Sequence, residues 1–214
     1  MFKVTFLNDL TGRCKGPIAQ LMFETLDDVR RDMAGRFSRA AKDRKSPMHV
    51  PTVVTSDVDA RVMVLRAFDN EAWTLRFHTD TRAPKVAVIE RDPRMSVLLY
   101  DKSAKVQMRV RGTGAVLRES PVTDAAWENS DNFARRCYLG QGPGALSEVP
   151  TSGLPPEFEG HEPTDDQLIP ARPNFAVLLI ELMTIDWFYL AHTGHMRAQF
   201  ERHDGDWQGR WVSP

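Results

Sequence analysis

Arg61-Val62-Met63-Val64-Leu65-Arg66 is followed by Phe77-His78-Thr79-Asp80-Thr81-Arg82-Ala83-Pro84-Lys85 and then by Gln107-Met108-Arg109-Val110-Arg111-Gly112. The three runs read as two strands, a basic turn that opens a helix, and further strands. Pro84 suits the first helical position, where its missing N–H costs nothing. The amides around it have no intrahelical partner and can bind an anion. Arg82 and Lys85 put positive charge at the positive end of that helix, a mismatch that a bound anion resolves. Thr79 can add a hydroxyl. Arg61 opens a strand expected to neighbour the one ending at Thr79, so its guanidinium can supply a bidentate contact.

Outward from this stretch, Thr25-Leu26-Asp27-Asp28 opens a helix that carries Leu26, Val29, Met33 and Phe37 at helical spacing. Residues 49–55 read as a strand and 56–59 as a turn. Strands are expected at 61–68 and 73–79, a helix at 84–91 stopped by Asp92-Pro93, and strands at 94–100 and 106–118. A helix is expected at 121–137. A Pro/Gly-rich segment, 140–173, is long enough to be a lid or arm. Strand-like runs close the chain at 175–181, 187–190, 196–201 and 207–212. Many short strands with few helices predict a mainly β (α+β) single domain over 1–214, built as a closed or partly closed antiparallel barrel.

The 214 residues are 42% hydrophobic and 27% charged, with a net charge of −1, so no global field favours nucleic acid or anionic lipid and any anion site is local. Met1-Phe2-Lys3-Val4-Thr5-Phe6 does not read as a signal peptide. No apolar run approaches the roughly 20 residues of a membrane span. Cys14 and Cys137 make neither a disulfide framework nor a metal motif, and a reducing cytoplasm is the expected setting. Gly140-Gln141-Gly142-Pro143-Gly144 breaks the spacing of a dinucleotide fingerprint. His192 and His195 lack further ligands at zinc-like spacing, so no metal is expected.

Residues 49–118 resemble the pyridoxamine 5'-phosphate oxidase family of flavin-binding split β-barrels. The resemblance rests on Arg61 to Arg66, on Thr79 with Lys85 six residues later, on Asp92-Pro93-x-x-Ser96, and on the Gln107 to Gly112 strand. Ile185-Asp186-Trp187, Arg197 to Phe200 and Trp207 to Pro214 are similar to the family's C-terminal strands. The resemblance implies FMN as cofactor. Arg61 and Lys85 would hold its phosphate, assisted by Thr79 and Arg82 beside His78. The backbone of Val62, Met63 and Val64 would run along the flavin, and Gln107 would bond the ring edge. Trp187, Arg197 and Gln141 or Gln199 would complete the site, partly from the second subunit of a homodimer. Ala83 and Pro84 depart from the family pattern, and the family's substrate-holding Tyr/Arg/Ser set is not recovered.

The function expected is therefore an FMN-dependent oxidoreductase acting on a small anionic molecule near Arg66, His195 and Arg197. The alternatives are a deazaflavin-dependent reductase and a flavin- or haem-binding module without turnover. No residue is assigned a catalytic role from the sequence.

Overall fold

Thr25 caps the first helix as the sequence predicts, and Asp28 completes a capping box with it. In the computed structural model, which describes residues 23–214, Asp28 N–H donates to Thr25 Oγ1 at 3.1 Å and Thr25 N–H donates to Asp28 Oδ2 at 2.8 Å. Cys14 and Met1 to Phe6 lie outside the described residues. Helix α1 (Leu26–Lys42) follows, with Val29, Met33, Phe37 and Ala40 buried along one face. That face packs on the sheet, as an apolar stripe of this spacing must.

The sheet has nine antiparallel strands: β1 (Thr52–Val54), β2 (Ala60–Val62), β3 (Leu65–Asp69), β4 (Thr74–Asp80), β5 (Arg94–Asp101), β6 (Val106–Leu117), β7 (Phe175–Tyr189), β8 (Met196–His203) and β9 (Asp206–Val212). Seven lie in the order β2-β1-β5-β6-β7-β4-β3, with β8 on β7 and β9 on β8. The sheet curls around a core of Leu75, Phe77, Val97, Met108, Val110 and Trp187, which α1 closes. This is the split antiparallel barrel that the sequence predicts. Among the described residues no helix is long and apolar enough to cross a membrane.

Three expectations change. The strand expected at 61–68 is two strands, because the chain leaves the β1 ladder after Val62 and joins β4 from Leu65. Arg61 and Arg66 therefore stand on strands at opposite ends of the sheet order, and Arg61's strand pairs with β1, not with β4. The helix expected at 121–137 breaks into α3 (Pro121–Glu128) and α4 (Asn132–Arg135), since Asp131 Oδ1 accepts the Ala134 amide at 2.7 Å and starts a new helix. The runs at 175–181 and 187–190 are one strand, β7.

Strand β7 changes phase within its length. The ladder with β6 passes from Gly112 opposite Leu182 to Arg111 opposite Thr184, leaving Met183 as the extra residue of a bulge. Before it Ile180 and Leu182 are buried; after it Ile185 and Trp187 are. Gly112 is required here: a Cβ on it would lie 2.0 Å from the Glu181 carbonyl oxygen.

Candidate functional site

Helix α2 (Pro84–Arg91) opens with no side-chain cap and no acidic residue in its first turn. Lys85 sits in that turn, partly buried, and makes no ion pair among the described residues. Burial, and then the nearby charge of Arg61, hold its ammonium below the usual lysine range. The two cations repel, Asp80 and Asp59 offset this only in part, and an anion between them would be stabilised. The Thr79 hydroxyl is buried with no hydrogen-bond partner among the described residues. Arg61 is committed on one side, donating to Thr55 Oγ1 at 2.9 Å and pairing with Asp59. Arg82 is committed more fully: Nη2 pairs with Asp80 at 2.7 Å and Nη1 donates to the Gly140 carbonyl at 2.9 Å.

The arm beginning at Gly140 crosses the start of α2. A Cβ on Gly142 would lie 3.3 Å from Arg82 Cβ, and one on Gly144 would lie 3.7 Å from Pro84 Cγ. Gln141 stands at the arm's base, its amide donating to the Gly153 carbonyl at 2.8 Å. The structure thus brings Arg61, Thr79, Arg82, Lys85 and Gln141 to one end of the barrel. Of the Val62 to Val64 stretch, Met63 N–H is used by the Pro51 carbonyl at 3.1 Å, while the Val62 side chain is exposed.

A second group forms on the outer face of β5, β6, β7 and β8. Tyr100, Gln107, Phe188 and Arg197 stand in one cross-strand row. The Gln107 amide makes no hydrogen bond within the described residues, and His195 packs edge-on against Phe188 at 5.6 Å. In the next row Asp186 accepts from Arg109 at 2.7 Å, Arg197 at 2.7 Å and Gln199 at 3.1 Å. Burial works to raise the Asp186 pKa, but these donors hold it below the ordinary carboxylate value. Trp187 is not in this group. It points inward, is 0% exposed, and donates from Nε1 to Asp32 Oδ2 at 3.1 Å. Strand alternation makes Phe188 the aromatic beside Gln107.

A third group holds Arg66 and His78. They line a cavity of about 320 Å³ with Arg76 and the 129–131 turn. His78 is therefore set apart from Arg61 and Lys85, and Arg66 from His195. Arg76 was not singled out from the sequence. Its position two residues before His78 on β4 is the alternation that places both on one face. Among the described residues no group of three or more His, Cys, Asp or Glu side chains is placed to hold a metal.

The chain is similar to known proteins along most of its length. Residues 32–118 match the family described as pyridoxamine 5'-phosphate oxidase, FMN-binding domain. The chain is 27% identical over 190 residues to a pyridoxine/pyridoxamine 5'-phosphate oxidase of Caulobacter vibrioides, covering 83% of this chain and 81% of that one. Among solved structures, a pyridoxamine 5'-phosphate oxidase-related, FMN-binding protein of Nostoc punctiforme aligns with TM-score 0.70 and 23% identity, over 86% of this chain and 97% of that one. PhzG of Burkholderia lata aligns with TM-score 0.61 and 16% identity, over 87% and 90% of the two chains. Both structural likenesses concern the fold.

Proposed function

From a chain whose residues 32–118 are an FMN-binding domain of the pyridoxamine 5'-phosphate oxidase type, we propose a homodimeric cytoplasmic flavoprotein that oxidises or reduces a small anionic molecule. The observation that carries the reading is the meeting of Arg61 with an unpaired, partly buried Lys85 at the uncapped start of α2. The buried, unpartnered Thr79 hydroxyl fits the same group. Arg61 and Lys85 would hold the FMN phosphate, with Thr79 donating its hydroxyl.

Separation within one copy supports the dimer. Arg61 lies opposite the inward-facing Val53, whereas Gln107 lies opposite the outward-facing Tyr100. Three strand steps, about 14 Å, and three residues along the strand, about 10 Å, also part them. One FMN cannot reach both on opposite faces of one sheet. A second copy supplying Gln107, Phe188 and Arg197 to the first copy's Arg61 and Lys85 resolves this. Arg66 and His195 need the same arrangement: their rows meet β7 near Leu178 and Phe188, about 33 Å of extended strand apart.

FMN, when bound, supplies the hydride and electron chemistry. The chain's residues bind and orient. Gln107 presents its amide to the ring edge, and Phe188 covers it from water. Arg197 and Gln199 are held in place by Asp186. Arg66 fixes the substrate's anionic end.

An absorption spectrum of the purified protein, with sedimentation of the same sample, tests the reading. A flavin band in a dimeric species is expected, lost in the Arg61→Ala/Lys85→Ala double variant. A colourless protein that takes up no added FMN overturns it. Mass spectrometry of the released cofactor separates FMN from a deazaflavin. Tight FMN without turnover on nicotinamide donors and oxygen points to a binding module.

A further inference from the structure

Arg61 is held from two sides. Its Nη1 donates to Thr55 Oγ1 at 2.9 Å, and the Thr55 hydroxyl donates in turn to Asp57 Oδ1 at 2.6 Å. Its Nη2 pairs with Asp59, two residues back on the same hairpin. The Thr55 contact orients the guanidinium without help from Asp59. What Asp59 adds is charge.

A carboxylate is an unexpected neighbour for cations that would hold a phosphate, since two anions at one guanidinium repel. The Asp59 charge reaches Lys85 as well, where it opposes the effects of burial and of Arg61. Asp80 also acts on Lys85, but it is only 8% exposed and both its oxygens are taken by Arg82, at 2.9 and 2.7 Å. Asp59 is free to leave. Its side chain is 68% exposed, against 21% for Arg61. A side-chain rotation returns it to water while Arg61 stays on Thr55, and an ion pair this open to solvent is cheap to break.

The turn that carries Asp59 is strained. Val58 has a φ of 60°, in the left-handed region that a β-branched residue rarely adopts. Its side chain is 84% exposed, so no packing of its own offsets the cost. Val58 N–H donates to the Thr55 carbonyl at 2.9 Å, and Thr55 N–H donates to the Asp59 carbonyl at 3.2 Å. These two bonds close the turn and bring Asp59 back beside Arg61.

We propose that Asp59 is a tethered stand-in for the cofactor's phosphate: it neutralises Arg61 in the cofactor-free chain, leaves Arg61 when the phosphate binds, and so sets a lower affinity than Arg61 and Lys85 alone would give. The proposal rests on the FMN reading in one respect, that the phosphate is FMN's.

Fluorescence titration of the cofactor-free full chain with FMN, and with riboflavin, which lacks the phosphate, tests this in the parent and in Asp59→Asn. Only an exposed side chain changes, and the backbone bond to Thr55 remains. Asp59→Asn should bind FMN about three- to tenfold tighter and riboflavin within about twofold. Asp57→Asn removes the same charge from the same turn, keeps an oxygen for Thr55 and makes no bond to Arg61. It should change FMN binding by less than about twofold. A gain shared by riboflavin, or an equal gain in Asp57→Asn, overturns the proposal. Calorimetric titration of the same proteins with inorganic phosphate keeps the two readings apart. FMN bound equally well, or less well, by Asp59→Asn sinks the stand-in alone. A parent that takes up no FMN, with an Asp59→Asn form that binds inorganic phosphate tighter, sinks the cofactor reading alone. No FMN uptake and no gain with inorganic phosphate sinks both.

Discussion

Trp187 Nε1 donates to Asp32 Oδ2 at 3.1 Å, and the same carboxylate oxygen accepts from Arg36 Nε at 2.7 Å. Arg36 reaches on to Asp101 at 3.3 Å, so the indole ties β7 through α1 to the end of β5. Trp187 is an interior strut, and its neighbour Phe188 is the residue that faces outward. Trp187→Phe should lower unfolding stability by about 1–2 kcal/mol, from the lost hydrogen bond and lost volume. It should leave FMN affinity within about twofold, a small effect on the binding scale. Phe188→Ala should do the reverse. Urea melts and FMN titrations on the two variants separate them; a Trp187→Phe protein as stable as the parent but deficient in FMN would restore the indole to the site.

Lys85 gives a test with opposite signs in two states. In the FMN-bound protein its removal together with Arg61 should weaken binding about a hundredfold or more, two charge-assisted contacts being lost. In the cofactor-free protein Lys85→Met should raise the melting temperature, because a partly buried cation without a counter-ion is replaced by an apolar chain of similar length. Differential scanning calorimetry with and without FMN reads both.

His78 makes stability depend on pH. Its pKa is lowered to about 4 by burial and by Arg66 and Arg76, against about 6.5 in an unfolded chain. Between these values the unfolded state takes a proton that the folded state refuses. Stability is therefore full above about pH 6.5 and falls as pH drops toward 4, by at most about 3 kcal/mol from this residue. His78→Gln should flatten that part of the profile. An anion that neutralises Arg66 and Arg76 should flatten it in part, since burial, the larger cause, remains. Unfolding midpoints across this range, with parent and variant, check the sign.

Gly112→Ala should be among the most damaging small substitutions in the sheet. The added Cβ meets the Glu181 carbonyl oxygen at 2.0 Å, and backbone cannot rotate away as a side chain could. A loss of about 2–4 kcal/mol is expected, measured by chemical denaturation. By contrast Gly35→Ala, where no atom lies within 4 Å of the new Cβ, should be neutral or stabilising in the middle of α1.

Local chemistry was legible in the sequence and long-range pairing was not. Thr25 with Asp28 announces the start of α1, and Pro84 with Asp92-Pro93 brackets α2, because caps and prolines act within a turn. The basic residues at the start of α2 were legible for the same reason. The split between Arg61 and Arg66 was not, since neither Met63 nor Val64 is a turn signal. What parts them is the choice of partner strand. Trp187 points inward although its neighbours in sequence, Asp186 and Phe188, lie on the outer face. A one-residue difference along a strand is a change of face. Arg76 was hidden among 28 lysines and arginines until β4 and the 129–131 turn enclosed it.

The extra residue at Met183 governs more than geometry. It is 42% exposed, so what side chain stands there matters little, while how many residues stand there matters a great deal. Removing it would carry Asp186 into the interior and expel Trp187, severing the strut to α1 and scattering Arg109, Arg197 and Gln199 in one step. Across descendants of this chain the position is therefore free to change its letter but not to disappear. An alignment that places a gap at Met183 would mark a protein that has given up the outer-face cluster around Asp186.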